Sequence, residues 1–266
     1  MIEAAPPAAY FVALGEDRYE PTDHAGGAWR DDELHLAPVA GLLVHHLERW
    51  RQANAGTLCF SRFAFEVLGQ IPRSTVEIST EVVRPGRTIE LIEATAMMGG
   101  RATIRVRAWL LQRSDTAGVA GDEFDPMPSP EECEDASTLL DWPGGFIRSV
   151  RALQAPDRRP GRARAWVSSE LPLVAGEPAQ PLAEFLKLID TANGIAVRQP
   201  PEEWMFPNVD LTVHLYREPS GVWAGLDTRV AFGPAGIGVT ASVLHDAAGP
   251  VGAIQQSLTL RRIPQR

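Results

Sequence analysis

The chain has 266 residues, 44% hydrophobic and 22% charged, with 34 Asp and Glu against 25 Lys and Arg and a formal net charge of -9 at pH 7. That much apolar material supports one large or two smaller packed domains and excludes wholesale disorder. The acidic balance argues against nucleic acid and against anionic membrane surfaces as partners.

Of the basic residues only Lys187 is a lysine. Cys59 and Cys133 are the only cysteines, with no C-x-x-C. A cysteine zinc site and a redox dithiol are therefore not expected, and both residues read as free thiols in a reducing compartment. Met1–Pro7 has no basic, apolar-flanked pattern of a signal peptide, and no run of 18 apolar residues occurs. The expectation is a cytoplasmic protein with no membrane span, no metal and no cofactor.

Residues 10–32 alternate aromatic, polar and Gly and read as short strands with a turn. Pro38 then opens a helical pattern through Val39, Leu42, Leu43, His46, Leu47 and Trp50, with Gly56 as the stop. Four strands follow, at 58–65, 76–82, 88–97 and 102–111, separated by the turns Arg84-Pro85-Gly86-Arg87 and Gly99-Gly100. Residues 114–145 interleave acids with Pro126, Pro128 and Pro130 and read as an exposed linker. The pattern then recurs. Pro181–Asp190 is helical with Gly194 as its stop, and strands are expected at 209–216, 222–232, 237–244 and 251–260.

The halves overlay as a duplicated unit. Thr80–Gly86 falls on Thr228–Pro234, Gly100 on Gly249, Arg101–Arg113 on Pro250–Arg262, and Pro38 on Pro181. Each copy supplies a helix and an antiparallel sheet that buries it, an α+β layer.

Several residues invite a chemical reading. Asp190 lies among Leu182, Phe185, Leu186 and Ile189, and either ends the helix or faces a cavity as a water-orienting base. Gln256 alternates in phase with Ile254 and Leu258, so its amide points inward and needs hydrogen-bond partners. His45 and His46 diverge by about 100° on a helix, which is poor ligand geometry, and read as packing or surface residues. His24 and His35 have no matched partner in sequence. Arg84, Arg87 and Arg101 read as phosphate contacts or as turn residues. Trp204–Pro207 reads as the wall or lid of an apolar channel, or as an ordinary packed loop. No G-x-S-x-G elbow is present, which disfavours an α/β-hydrolase.

Taken in order, Leu36–Gly41, Val82–Arg87, Asp190–Gly194, Phe232–Gly238 and the terminal strand through Gln256 resemble the double-hotdog acyl-CoA thioesterase-like family, the group around bacterial acyl-CoA thioesterase II. The resemblance covers nearly all of residues 10–262. It implies two tandem hotdog units, residues 1–113 and 146–266, joined by the linker 114–145, each with a long helix wrapped by sheet. It implies an acyl-CoA substrate, hydrolysed at the junction between halves without metal or covalent cofactor. An Asp, a hydroxyl residue and a Gln would hold the water. Asp190 and Gln256 match the first and last of these. The hydroxyl position falls on Ala231, and Thr228 is the nearest hydroxyl on that strand, on the opposite face unless a bulge intervenes. The departure leaves open hydrolysis by Asp190 and Gln256 alone, use of another hydroxyl such as Thr191, or a non-catalytic acyl-CoA or lipid binder. A hotdog hydratase or dehydratase is also open, in which His35 would have to reach Asp190 from the other half. The overlay sets Leu47 opposite Asp190 and Arg107 opposite Gln256, so one functional site per chain is expected. A homo-oligomer is plausible for hotdog sheets.

Overall fold

The computed structural model describes residues 8–15, 17–136, 142–178 and 180–264. The readings made for residues 1–7 and for 137–141 of the linker fall outside them.

Helix α1 spans Leu36–Asn54, two residues ahead of the expected start. His35 caps it, its Nδ1 accepting the Ala37 N–H at 3.1 Å. This satisfies one of the unpaired donors of the first turn. Pro38 follows in that turn, where its missing N–H has no intrahelical acceptor to leave unserved. Every residue from Leu36 to Glu48 is buried, so α1 is a core rod rather than a surface helix. Its buried polar side chains are paired. His45 Nε2 meets Glu177 at 2.7 Å, His46 Nε2 meets Thr80 at 2.8 Å, and Glu48 accepts the Ala183 N–H at 3.1 Å.

A 13-stranded antiparallel sheet wraps this rod. In the first half its strands are β1 (Phe11–Gly15), β2 (Arg18–Pro21), β3 (Leu58–Val67), β4 (Val76–Arg84), β5 (Ile89–Met98) and β6 (Arg101–Gln112). The tight turn between β5 and β6 uses Gly99 and Gly100 at φ 58° and 78°, a region that favours glycine. Then come β7 (Glu134–Asp135), the short helix α2 (Gly145–Arg148), β8 (Arg151–Gln154) and β9 (Arg162–Ser168). β11 (Asp210–Leu215), β12 (Ala224–Phe232), β13 (Ile237–Asp246) and β14 (Gly249–Thr259) complete the sheet, while β10 (Trp204–Met205) and β15 (Arg261–Arg262) form a separate ribbon. The eight strands read from alternation are all present. β8 and β9 lie where the pattern indicated no element.

The strand order is symmetric. From one side it runs β4-β5-β6-β3 and from the other β12-β13-β14-β11, and the runs meet where β3 pairs with β11, Glu66 against Asp210 through Arg62 against His214. The residues overlaid in sequence therefore occupy corresponding strands. Alternate residues such as Phe63, Phe65, Ile92, Ala94, Val106 and Ala108 turn inward onto the helices.

The second half departs from expectation at its helix. In place of one long helix there is α3 (Pro181–Leu186), a 3-10 turn at Ile189–Thr191, and α4 (Ala192–Ile195). The backbone loosens at Lys187 and Leu188, whose ψ angles are -9° and -24°. Buried Lys187 sends its ammonium to the Leu171 carbonyl at 2.6 Å and to Glu184. The Thr191 hydroxyl takes the Leu188 carbonyl at 2.6 Å. Side chains thus compete with the helical ladder over one turn. Residues of the linker 114–135 are mostly exposed, although β7 pairs with β8 at the sheet edge and Pro128 accepts the Trp166 indole N–H at 2.8 Å.

Candidate active site

The broken helix presents Asp190 from its 3-10 turn, where the carboxylate is buried. Two amides donate to the same oxygen, Oδ1: Gln256 Nε2 at 2.7 Å and Asn208 Nδ2 at 3.0 Å. Gln256 comes from β14, and its side chain is inward and buried, as alternation requires. Asn208 lies just before β11, where its backbone bridges to Leu258 and its amide also donates to the Asp210 carbonyl at 3.0 Å.

The arrangement leaves two acceptors unclaimed. Asp190 Oδ2 has no donor among the described residues, and Gln256 Oε1 is a buried oxygen without a partner. An orphaned buried acceptor costs folding free energy and marks a place where a water or ligand donor belongs. Burial pushes the Asp190 pKa up to about 7, opposed by the two amide donors. The carboxyl is thus poised to exchange a proton near neutrality.

His35 completes the centre. Its Nδ1 lies 3.6 Å from Asp190 Oδ2, too far for a hydrogen bond, and its ring packs on Phe146 at 4.5 Å. Burial lowers its pKa to about 4, so the imidazole is neutral at pH 7. Asp190, Asn208 and His35 stand on the wall between two cavities. One is narrow, with about 50 Å³ of free space, walled by Trp29, Trp142, Ile147, Ile195 and Phe206 on its apolar side and by His35, Asp190, Thr191, Asn193 and Asn208 on its polar side. Its rings pack edge-on, Trp29 to Trp142 at 4.9 Å and Trp29 to Phe206 at 5.6 Å. The other is an open groove of about 640 Å³ bordered by Arg30, Gln70, Met205, Pro207 and Arg261.

Of the residues singled out in sequence, Asp190 and Gln256 are brought together. Thr228 is not among them. It is buried on β12 with its hydroxyl on Ser242 at 2.8 Å, and it makes no hydrogen bond to Asp190 or Gln256. Asn208, which sequence reasoning missed, is the third side chain on this carboxyl, whereas Ala231, where a hydroxyl was sought, is exposed on β12. The Asn193-Gly194 turn does not hold Asp190 either, because Asn193 serves the Phe206 carbonyl at 2.8 Å. Part of Trp204–Pro207 does line the cavities, through Met205, Phe206 and Pro207. Arg84, Arg87 and Arg101 border neither cavity, and Arg30 and Arg261 hold the groove instead.

The sequence matches the model of the acyl-CoA thioesterase N-terminal domain over residues 26–111 and that of the acyl-CoA thioesterase C-terminal domain over residues 130–260. The chain belongs to the acyl-CoA thioesterase family. Solved structures agree in fold. A protein of Novosphingobium aromaticivorans assigned provisionally to the thioesterases superposes with a TM-score of 0.72 at 18% identity, over 95% of this chain and 98% of its own. A hotdog-fold protein of unknown function from Alicyclobacillus acidocaldarius gives 0.72 at 12%, covering 97% and 98%. Acyl-CoA thioesterase II TesB2 of Mycobacterium marinum gives 0.63 at 12%, covering 95% and 96%. At these identities the likeness establishes the hotdog fold. A search of curated protein sequences found no match. Among the described residues no helix is long and apolar enough to cross a membrane, and no group of three or more His, Cys, Asp and Glu could hold a metal ion.

Proposed function

We propose that this member of the acyl-CoA thioesterase family hydrolyses acyl-CoA to a free acid and CoA with a water activated by Asp190. The observation that carries the reading is the buried carboxyl with one oxygen fixed by two amides, its other oxygen free, and an orphaned Gln256 Oε1 beside it. Asp190 Oδ2 and Gln256 Oε1 accept the hydrogens of the water, so a water lone pair faces the thioester carbon. Asn208 and Gln256 keep the carboxyl in place. The narrow cavity, with about 50 Å³ of free space, takes the carbonyl end of the acyl group. The groove takes the CoA arm, with Arg261 as a cation for its phosphates and Arg30 as a second once it exchanges its ion pair with Asp32 for phosphate. The motive for a purely binding protein weakens, because Asn208 supplies Asp190 with a second polar partner that Ala231, exposed on β12, does not.

In this reading the symmetric strand order reflects two tandem hotdog units, 1–113 and 146–266, joined by residues 114–145, with the site supplied by both. The test is release of free thiol from acyl-CoA substrates across a range of chain lengths, with Asp190→Asn as the comparison. Turnover should fall by about 100-fold or more in the variant while substrate still binds. Absence of thiol release by the wild-type chain at every length would sink the reading.

One observation favours a second reading, hydration of an enoyl-CoA or its reverse: His35 reaches Asp190 from the other half at 3.6 Å. Against it, an imidazole held near pKa 4 is a weak base at neutral pH. Loss of enoyl absorbance on incubation with an enoyl-CoA would decide for hydration.

A further inference from the structure

We propose that His35 donates a hydrogen bond from Nε2 to the carbonyl oxygen of the bound thioester and holds the oxyanion of the tetrahedral intermediate; this rests on the hydrolase reading above. The ring is fixed from both sides. Nδ1 accepts the Ala37 N–H at 3.1 Å, and Phe146 packs on one face. With the Nδ1 lone pair engaged, the proton of the neutral ring resides on Nε2. Protonating Nδ1 as well would break the cap and place a cation at the positive end of a 19-residue helix. The tautomer is therefore built into the start of α1.

Nε2 has no hydrogen-bond partner among the described residues, and it is not one of the fully buried orphaned atoms. His35 lines both the narrow cavity and the groove, the junction where an acyl carbonyl sits if the carbonyl end enters the first and the CoA arm lies in the second. Its neighbours there are Asp190 and Asn208, so groups from opposite halves of the chain border the same junction, with His35 Nδ1 3.6 Å from Asp190 Oδ2.

The water oxygen bonds to the acyl carbon as Asp190 takes one of its protons, and the carbonyl electron pair moves to oxygen under the Nε2–H. The carbonyl re-forms, the C–S bond breaks with its pair on sulfur, and the proton held by Asp190 passes to the CoA sulfur. A neutral donor pre-aimed at the developing charge needs no reorganisation during the reaction.

His35→Asn separates this role from capping, because Asn is a good N-cap whose amide is too short to reach the carbonyl. On the acyl-CoA that the wild type hydrolyses best, the variant should melt at the wild-type temperature and keep KM, while kcat falls about 100-fold. A kcat within threefold of wild type overturns the proposal. A readout free of turnover is the Nε2 proton of ¹⁵N-histidine-labelled protein, followed by NMR on adding a CoA ketone analogue with methylene in place of the thioester sulfur. It should move downfield. If the analogue binds and the His35 proton is unmoved, the proposal fails. If that proton moves although no thioester is hydrolysed, the carbonyl contact stands and the hydrolase reading falls. If the analogue does not bind and no thioester is hydrolysed, both fall.

Discussion

Asp190 is an expensive residue to bury. Its pKa rises from 3.8 to about 7 in the fold, so between those values the unfolded chain has released a proton that the folded chain still holds. Stability therefore falls as pH climbs from about 4 to about 7 and is flat beyond, with a loss on the order of 4 kcal/mol. Asp190→Asn removes that penalty while its Oδ1 still accepts from Asn208 and Gln256. The variant that loses turnover should thus melt higher than wild type at pH 8 and match it at pH 4, which thermal melts at the two pH values will check. Asn208 acts in the opposite sense, since its donation favours the charged carboxyl. Asn208→Ala should raise the Asp190 pKa further and shift the rising limb of the kcat/KM–pH profile to higher pH. An unshifted limb would mean that Asp190 is not the titrating group. Asp190 and Gln256 were legible in the sequence because a polar residue stood where the period of a helix or strand demanded an inward apolar one. Asn208 was not. It follows Pro207 outside any periodic segment, and only the backbone bridge to Leu258 aims it at Asp190.

At the scale of elements, the strands and α1 were legible from period and turn chemistry alone, and the second helix was not. Its apolar spacing through Ile189 is helical, yet the chain turns into a 3-10 segment there because Lys187 and Thr191 draw on nearby carbonyls and α1 crowds in. The crowding is specific. A Cβ on Gly41 of α1 would lie 2.5 Å from Lys187 Cβ and 3.0 Å from its Cα. Close passage of the two helices needs a glycine here, although its φ is ordinary. Gly41→Ala should therefore cost about 1–3 kcal/mol by overpacking. It should also reduce turnover, since the segment it displaces carries Asp190 three residues on. Denaturant unfolding and thiol release measured on the same preparation would separate the two effects. A neutral Gly41→Ala would show that the helices part without consequence.

At the scale of the molecule, the symmetric strand order raises the question of whether a second site lies at the mirror position. The sequence overlay set Leu47 opposite Asp190 and Arg107 opposite Gln256. Leu47 is fully buried in the core, and Arg107 points to solvent and pairs with Glu93 at 2.6 Å, its inward neighbours being Val106 and Ala108. The first-half carboxyl that most resembles Asp190 is Glu48, adjacent to Leu47. It too is buried, and burial pushes its pKa up to about 7. As Asp190 sits against the start of α1, Glu48 sits against the start of α3. Its environment differs in one respect that decides its use. Glu48 accepts the Ala183 N–H at 3.1 Å and borders none of the cavities described. It spends its carboxylate on joining the halves. Glu48→Gln keeps that acceptor and removes the titrating proton. Because the folded pKa lies above the unfolded 4.5, the wild type loses stability as pH rises from about 4.5 to about 7. Glu48→Gln should therefore melt higher than wild type at pH 8 with turnover unchanged, whereas Asp190→Asn melts higher and turns over at least about 100-fold more slowly. Leu47→Asn buries an unpaired amide and should destabilise the fold by roughly 2–5 kcal/mol while the folded fraction keeps its kcat. Comparable loss of turnover in Glu48→Gln and Asp190→Asn, with both folded by circular dichroism, would establish two equivalent sites and refute the single-site reading.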